Sequence, residues 1–214
     1  MGGCVLALRF DMPASIACPS CHESLPLFSC AKTTAPIPVS SLLCQQALIL
    51  AALDPNVLSI EPAPPIALAT LDGAVTGLTA IFTDQNGSKT AVVADDGDAF
   101  AAMFADDARA ATERMKLGFK ILTADEIRLE PLLTNSELVW SCRNRFIPAS
   151  DQVRILLHLS EYGAVPLIEA SYAAVNSRDG ISTVLALACR NLVELNLAED
   201  PLGPDTKVRR RNIA

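Results

Sequence analysis

Two turn dipeptides spaced one strand apart constrain the fold of this chain more than any other feature. Asp72-Gly73 and Asn86-Gly87 are residue pairs that favour the tight turns of β-hairpins. The apolar runs on either side of these turns are residues 66–71, 78–82 and 90–94. Strand-length apolar runs separated by hairpin turns predict a three-stranded antiparallel meander.

Helical and strand patterns surround this meander. Ser41 precedes apolar residues at helical spacing, which predicts a helix that starts near residue 42 and ends at Asp54-Pro55. Thr123 and Glu126 have the spacing of a capping box and predict a short helix. The other predicted elements are strands at 57–60, 119–122 and 138–140 and a helix at 98–117. Together they indicate an α/β domain at 39–145, with a mixed sheet and flanking helices.

The last third of the chain has a different pattern. A linker at 145–150 contains Pro148, and three apolar helical patterns follow it. These patterns cover residues 153–159, 166–175 and 181–192. Residues 193–197 and 207–210 are predicted to pair as a hairpin around a Pro-Leu-Gly-Pro turn. Three helices and a two-stranded wing indicate a winged-helix-like domain at 149–211, and a small helical bundle with a tail is the alternative.

The first 38 residues lack a helical or strand period and are rich in Pro, Ser and Cys, which predicts a flexible leader. A zinc site is one alternative, because thiolates and imidazole suit tetrahedral zinc. Its ligands would be Cys18, Cys21 and Cys30 with His22 or Cys4. Cys18-Pro-Ser-Cys21-His22 also matches a c-type haem attachment string, which needs an exported setting. The leader interpretation is preferred, so no cofactor is expected.

The acidic balance of the chain limits what it binds. Its net charge of −7 divides into −6 over residues 1–148 and −1 over residues 149–214. A protein that grips phosphates unaided needs a strongly positive surface. The charge therefore favours a protein partner and allows only weak, local contact with DNA.

The sequence also predicts a cytoplasmic location. No apolar run approaches the roughly 20 residues needed to span a bilayer, so no membrane association is expected. No secretory signal pattern is present at the start. Seven cysteines, an odd number, favour reduced thiols over a disulfide framework.

One basic cluster lies close to the end of the chain. It consists of Lys207, Arg209, Arg210 and Arg211. On the second strand of the predicted wing and in the tail after it, these side chains are candidates for contact with nucleic-acid phosphates. A solvated tail without a ligand is the alternative.

Three segments between residues 42 and 140 resemble the TnsA family of transposon endonucleases. The segments are Asp54-Pro55-Asn56-Val57 with Ile60-Glu61-Pro62, the meander at 73–95, and residues 122–135. Their order and spacing imply a restriction-endonuclease-like mixed sheet with flanking helices. The winged-helix-like plan that follows fits the same family.

The resemblance also implies that the chemistry of that family is missing. Such nucleases need a helix Glu, a strand Asp and an E-x-K or Q-x-K, whose carboxylates hold divalent cations that activate water. The matching positions here are Cys44, Ala80, Val93 and Asp95. We therefore expect no catalytic residues and no bound metal.

The function implied is that of a non-catalytic scaffold associated with transposition or DNA, which binds a protein partner. Two alternatives to this scaffold remain open. One is an active metal-dependent endonuclease with a displaced active site, and the other is an adaptor that binds only proteins.

Overall fold

Short strands and helices alternate along the chain. The computed structural model describes residues 25–63, 79–95, 109–110 and 112–212. Its strands are β1 (Leu27–Phe28), β2 (Ile37–Pro38), β3 (Val57–Glu61), β4 (Ala80–Asp84), β5 (Lys89–Asp95), β6 (Gly118–Thr123), β7 (Val165–Pro166), β8 (Val193–Leu195) and β9 (Lys207–Arg210). Its helices are α1 (Leu42–Leu53), α2 (Ala124–Ile127), α3 (Leu132–Ser141), α4 (Ala149–Tyr162), α5 (Leu167–Tyr172) and α6 (Gly180–Cys189). In these residues, no helix is both long and apolar enough to cross a bilayer.

A four-stranded mixed sheet with flanking helices forms the first half, so the α/β class is confirmed. The strand order is β3-β4-β5-β6, with two antiparallel pairs followed by a parallel pair between β5 and β6. The predicted Asn86-Gly87 turn joins β4 to β5. Gly87 has φ of 76°, and the Asp84 carboxylate accepts hydrogen bonds from Asn86 N–H and Ser88 N–H at 2.8 Å. Glycine adopts this left-handed conformation without strain.

The meander differs from the prediction in its first strand. β4 pairs with β3 on one edge and with β5 on the other, and Ile60 lies opposite Phe82. The segment at 57–61 therefore takes the place that the sequence pattern gave to 66–71. That run, the Asp72-Gly73 turn and most of the predicted helix at 98–117 lie outside the described residues.

Two predicted helix starts are confirmed by their caps. The Ser41 hydroxyl accepts a hydrogen bond from Cys44 N–H at 3.1 Å and starts α1. Thr123 and Glu126 form the reciprocal capping box of α2. α1 packs against β5 on one side and against α2, α3 and α6 on others, which explains why most of its residues are buried.

The predicted strand at 138–140 is wrong, because these residues belong to α3. Leu133, Ser136, Val139 and Trp140 are buried at intervals of three or four, which is a helical period. Two of the inward-facing residues of α3, Asn135 and Ser136, are polar. These two polar residues interrupt the apolar pattern of the helix, so the sequence shows only the short apolar run Leu138-Val139-Trp140, which resembles a strand.

Residues 25–38 do not form a leader outside the fold, so the predicted boundary at Pro38 is wrong for this segment. β1 and β2 pair antiparallel, and Phe28 and Ile37 are buried. The Phe28 ring stacks on the Trp140 indole with 5.0 Å between ring centroids. The earlier cysteines and His22 lie outside the described residues, and Cys30 is half-buried with a free thiol.

The last third of the chain runs helix, strand, helix, helix, strand, strand. The predicted pairing of 193–197 with 207–210 is confirmed, since β8 and β9 are antiparallel with Leu195 opposite Val208. The two-residue strand β7 was not predicted, and it pairs with the other edge of β9. The three-stranded sheet therefore has the order β7-β9-β8.

The larger of two apolar clusters crosses the predicted linker at 145–150. Buried residues from Phe28 to Val208 belong to one cluster. The Asn135 side chain, on α3, donates to the carbonyls of Leu197 and Asp200 and accepts from Leu202 N–H, each at 2.8 Å. These bonds fasten the hairpin loop to the first half of the chain.

Candidate nucleic-acid interface

The basic cluster lies on and beside β9, but its members differ in how much charge they present. Val208 is fully buried, while Lys207 and Arg209 on either side of it are exposed, as the alternation of a strand requires. Within the described part of the chain, the Lys207 ammonium has no ion pair. Lys207 therefore presents its full charge to solvent.

Arg209 presents less charge than the sequence suggests. Its Nε donates to the Glu194 carboxylate on the neighbouring strand β8. Glu194 and Arg209 lie directly opposite each other in the register of the two strands. This cross-strand ion pair neutralises the guanidinium locally and lowers its attraction for phosphate.

Arg210 is exposed, and its Nη1 donates to the Ser160 hydroxyl on α4. A neutral hydroxyl leaves the positive charge of the guanidinium in place. Arg210 and Lys207 are therefore the two stronger phosphate candidates, and contact of either with nucleic acid stays a prediction.

Arg211 leaves the candidate surface altogether. Its side chain is 7% exposed, and Nη2 donates to the carbonyls of Pro55 at 2.8 Å and Val57 at 3.2 Å. A guanidinium held in this way between α1 and β3 has no room for a phosphate. Its role is to fasten the C-terminal end of the described chain to the first half of the fold.

A second buried cation, which the sequence analysis missed, lies beside Arg211. Lys32 is 4% exposed, and its Nζ donates to the carbonyls of Ala51 and Asp54 at the end of α1. A cation at the C-terminus of a helix is favourable because the unpaired carbonyls carry partial negative charge. Burial, and then the nearby Arg211 charge, lower the pKa of Lys32 from 10.5 to about 8.

The third helix of the C-terminal part, α6, has no exposed face over most of its length. All residues from Thr183 to Cys189 are buried against neighbouring elements, including α3 and α5. Its polar side chains are used internally, since the Ser182 and Thr183 hydroxyls both donate to Asp179. A helix that enters the major groove must expose a face to base edges. α6 does not meet this requirement.

Of the four positions that the sequence resemblance matches to catalytic residues, only Asp95 carries a carboxylate. Cys44 on α1 is 3% exposed and Ala80 on β4 is fully buried, and both lie in the apolar core. Val93 and Asp95 lie on β5, both half-buried. Within the ranges that the structure describes, no three His, Cys, Asp or Glu side chains are grouped as metal ligands.

Neither models of known families nor the sequences of curated proteins match this chain.

Proposed function

We propose that this protein is a non-catalytic, TnsA-like scaffold that binds a protein partner in a DNA-associated process such as transposition. In this proposal the first half is a degenerate restriction-endonuclease-like domain. The order α1, then three antiparallel strands, then a fourth strand parallel to the third supports that assignment. The last third is proposed to be a winged-helix-like domain, which its element order and its β7-β9-β8 sheet support.

The burial of Cys44 and Ala80 is the observation that carries the proposal. Hard cations such as Mg²⁺ need several oxygen ligands. Here a thiol and a methyl group lie in the apolar core, where a nuclease of this type places carboxylates. A carboxylate at either position would be buried among apolar side chains, at a large cost in free energy.

The burial of α6 supports a scaffold rather than a sequence-specific DNA-binding protein. In a winged helix the third helix supplies base contacts, and here that helix packs against the rest of the chain. The remaining DNA contact is proposed to be weak and salt-sensitive, through Lys207 and Arg210 with a smaller contribution from Arg209.

A groove between α1 and α3 supports the protein partner. Its lining is mixed, with three apolar residues (Leu42, Ile49 and Trp140) and five polar ones (Gln45, Gln46, Glu137, Ser141 and Arg143), and Leu42 is 63% exposed. Gln46 Nε2 donates to Glu137 at 3.0 Å, while Gln46 Oε1 is buried and has no hydrogen-bond partner among the described residues. A mixed lining with one unpaired acceptor suits a partner segment that presents an apolar side chain beside a hydrogen-bond donor.

The proposed location is the cytoplasm. The four cysteines in the described ranges are free thiols, which suits a reducing compartment.

A salt-dependent titration of duplex DNA tests the DNA-associated part of the proposal. We expect a dissociation constant on the order of micromolar or weaker, as is typical of non-specific contacts with DNA. The affinity should fall steeply between about 50 and 200 mM salt. Replacing Lys207, Arg209 and Arg210 together by alanine should abolish it. Tight binding that survives this triple replacement would contradict the proposed surface, and absence of binding at low salt would favour the adaptor that binds only proteins.

A further inference from the structure

A second group of arginines lies in or next to the segment that joins α3 to α4. It consists of Arg145, Arg178 and Arg190, which are connected through the Arg145 carbonyl and the Asp179 carboxylate. The sequence predicts only a linker at 145–150 here. Phe146 directly follows Arg145 in this linker, so the exposure of each side chain decides what the segment can bind.

This segment is held in place by both ends of α6. Arg190, the C-cap of α6, donates from Nη2 to the Arg145 carbonyl at 3.2 Å. The Arg145 guanidinium lies 3.5 Å from the carboxylate of Asp179, the N-cap of the same helix. Contacts at both ends bring the arginines to one surface and restrict the movement of the segment.

Phe146 projects from this surface into solvent. Its side chain is 82% exposed, the highest value among large apolar side chains in the described ranges, while the next residue, Ile147, is 5% exposed. Burial of Ile147 directs Phe146 outward. The Pro148 carbonyl then accepts from Asp151 N–H at 3.0 Å and from Gln152 N–H at 3.1 Å, which fixes the start of α4. An exposed aromatic ring on a fixed backbone presents a flat face on which a planar group can stack.

The arginines of this group keep most of their charge. Arg190 donates to a carbonyl and, in the described structure, is not neutralised by a carboxylate. Arg143 lies outside the group, because its guanidinium donates to the Trp140 carbonyl at 3.2 Å, lies 5.3 Å from the centroid of the Trp140 ring and lines the groove between α1 and α3. Arg145 alone has an acidic partner, Asp179. This local excess of positive charge lies on a chain whose net charge is −7.

The loop that carries Arg178 is also fixed. Asp151 on α4 is fully buried and accepts hydrogen bonds from the Ser177 hydroxyl at 2.6 Å and from the Asn176 main chain and side chain. Burial alone would raise the pKa of Asp151, but these hydrogen bonds outweigh it and hold the pKa below its usual value. The exposed Arg178 side chain follows directly, next to Asp179.

We propose that this surface, defined by Phe146 with Arg145, Arg178 and Arg190, binds single-stranded nucleic acid. A base stacks on the Phe146 ring, and the phosphates on either side lie against the guanidinium groups. The bases of a duplex are already stacked and paired, so they offer no free face to a projecting ring. An acidic peptide would use the charges but would leave the ring without a stacking partner.

This inference goes beyond the proposed function, because it depends neither on the family resemblance nor on the hairpin. The two surfaces therefore have separate tests. Replacing Lys207 and Arg210 changes only the hairpin, and replacing Phe146 changes only the new surface.

Fluorescence anisotropy with a labelled oligothymidylate of about 20 nucleotides tests the inference on the full chain at low salt. We expect Phe146→Ala to weaken binding about tenfold, and Phe146→Trp to bind at least as tightly as the unmodified chain. A variant with both Arg178→Ala and Arg190→Ala should flatten the salt slope by about 1.4, because each phosphate contact on a single strand contributes about 0.7. Leu157→Ala is the matched control, since Leu157 is an exposed apolar side chain on α4.

Several results would overturn the inference. The first is the absence of oligothymidylate binding at low salt by the unmodified chain. The second is oligothymidylate binding that Phe146→Ala leaves unchanged. If polyglutamate then competes as well as the unlabelled oligonucleotide, the surface binds acidic peptides instead. The third is binding lost in a Lys207→Ala, Arg210→Ala variant but retained in Phe146→Ala. Equal thermal stability of the Phe146 variants checks that they are folded.

Discussion

Asn135→Ala separates the hairpin loop from α3 and tests how the two parts of the chain are joined. Asn135 is 1% exposed, and its amide makes three hydrogen bonds of 2.8 Å to main-chain groups of Leu197, Asp200 and Leu202. Alanine leaves two carbonyls and one N–H buried without these partners. Each lost bond costs about 1 kcal/mol in net stability, so the free energy of unfolding should fall by about 3 kcal/mol.

The neighbouring residue provides a matched control. Ser136 is also 1% exposed and lies on the same helix, but its hydroxyl has no hydrogen-bond partner among the described residues. Ser136→Ala removes a buried polar group that makes no bond and places a better helix former in α3. It should leave the stability unchanged or raise it slightly.

Urea unfolding followed by the fluorescence of Trp140, the one tryptophan of the chain, measures both variants. Trp140 is buried against Phe28, so its emission reports loss of the core that both halves share. A loss of about 3 kcal/mol corresponds to a fall in melting temperature of roughly 10 °C for a chain of this length. The hydrogen bonds of Asn135 do not join the two parts as described if Asn135→Ala lowers the free energy of unfolding by less than about 1 kcal/mol. The same holds if Ser136→Ala lowers it as much as Asn135→Ala does.

Two further predictions concern the buried cations. The pKa of Lys32 is lowered from 10.5 to about 8, so between these values the unfolded chain binds a proton that the folded chain has released, and the stability contributed by Lys32 rises with pH. Lys32→Met should flatten this rise in unfolding free energy measured from pH 8 to 10, and an unchanged slope would show that Lys32 is not the group responsible. Arg211→Ala should lower the melting temperature by several degrees because two carbonyls lose a charged donor, whereas Lys207→Ala, at an exposed position, should not. Equal melting temperatures for these two variants would contradict the burial of Arg211.

The sequence predicted the elements that local chemistry determines. Ser41, Thr123 and Asn86-Gly87 form their caps and turn with residues at most four positions away, so their patterns are readable without a fold. The helical C-terminal part and the pairing of β8 with β9 follow from apolar patterns of the same kind.

Long-range contacts determine what the sequence did not show. Phe28 is buried because Trp140 stacks on it, more than a hundred residues later in the chain. Arg211 donates to the carbonyls of Pro55 and Val57, more than 150 positions earlier in the chain. Because no local pattern shows these partners, the sequence placed Arg211 in a basic surface. The helical period of α3 was missed, and 138–140 was predicted as a strand, because the inward-facing Asn135 is satisfied by a loop that no local pattern reveals. The candidate surface at Phe146 was hidden for the same reason, since only the fold brings Arg190 to Arg145.

Plasmid cleavage in the presence of Mg²⁺ or Mn²⁺ tests whether the protein is a nuclease. With a buried thiol at Cys44 and a methyl group at Ala80, we expect no nicking above the rate of a metal-free control at any protein concentration. Asp95→Ala and Glu61→Ala variants, purified in the same way, separate a contaminating nuclease from activity of the chain itself. Metal-dependent nicking that either replacement abolishes would contradict the account, because it would show an active site displaced from the positions that the family resemblance implies.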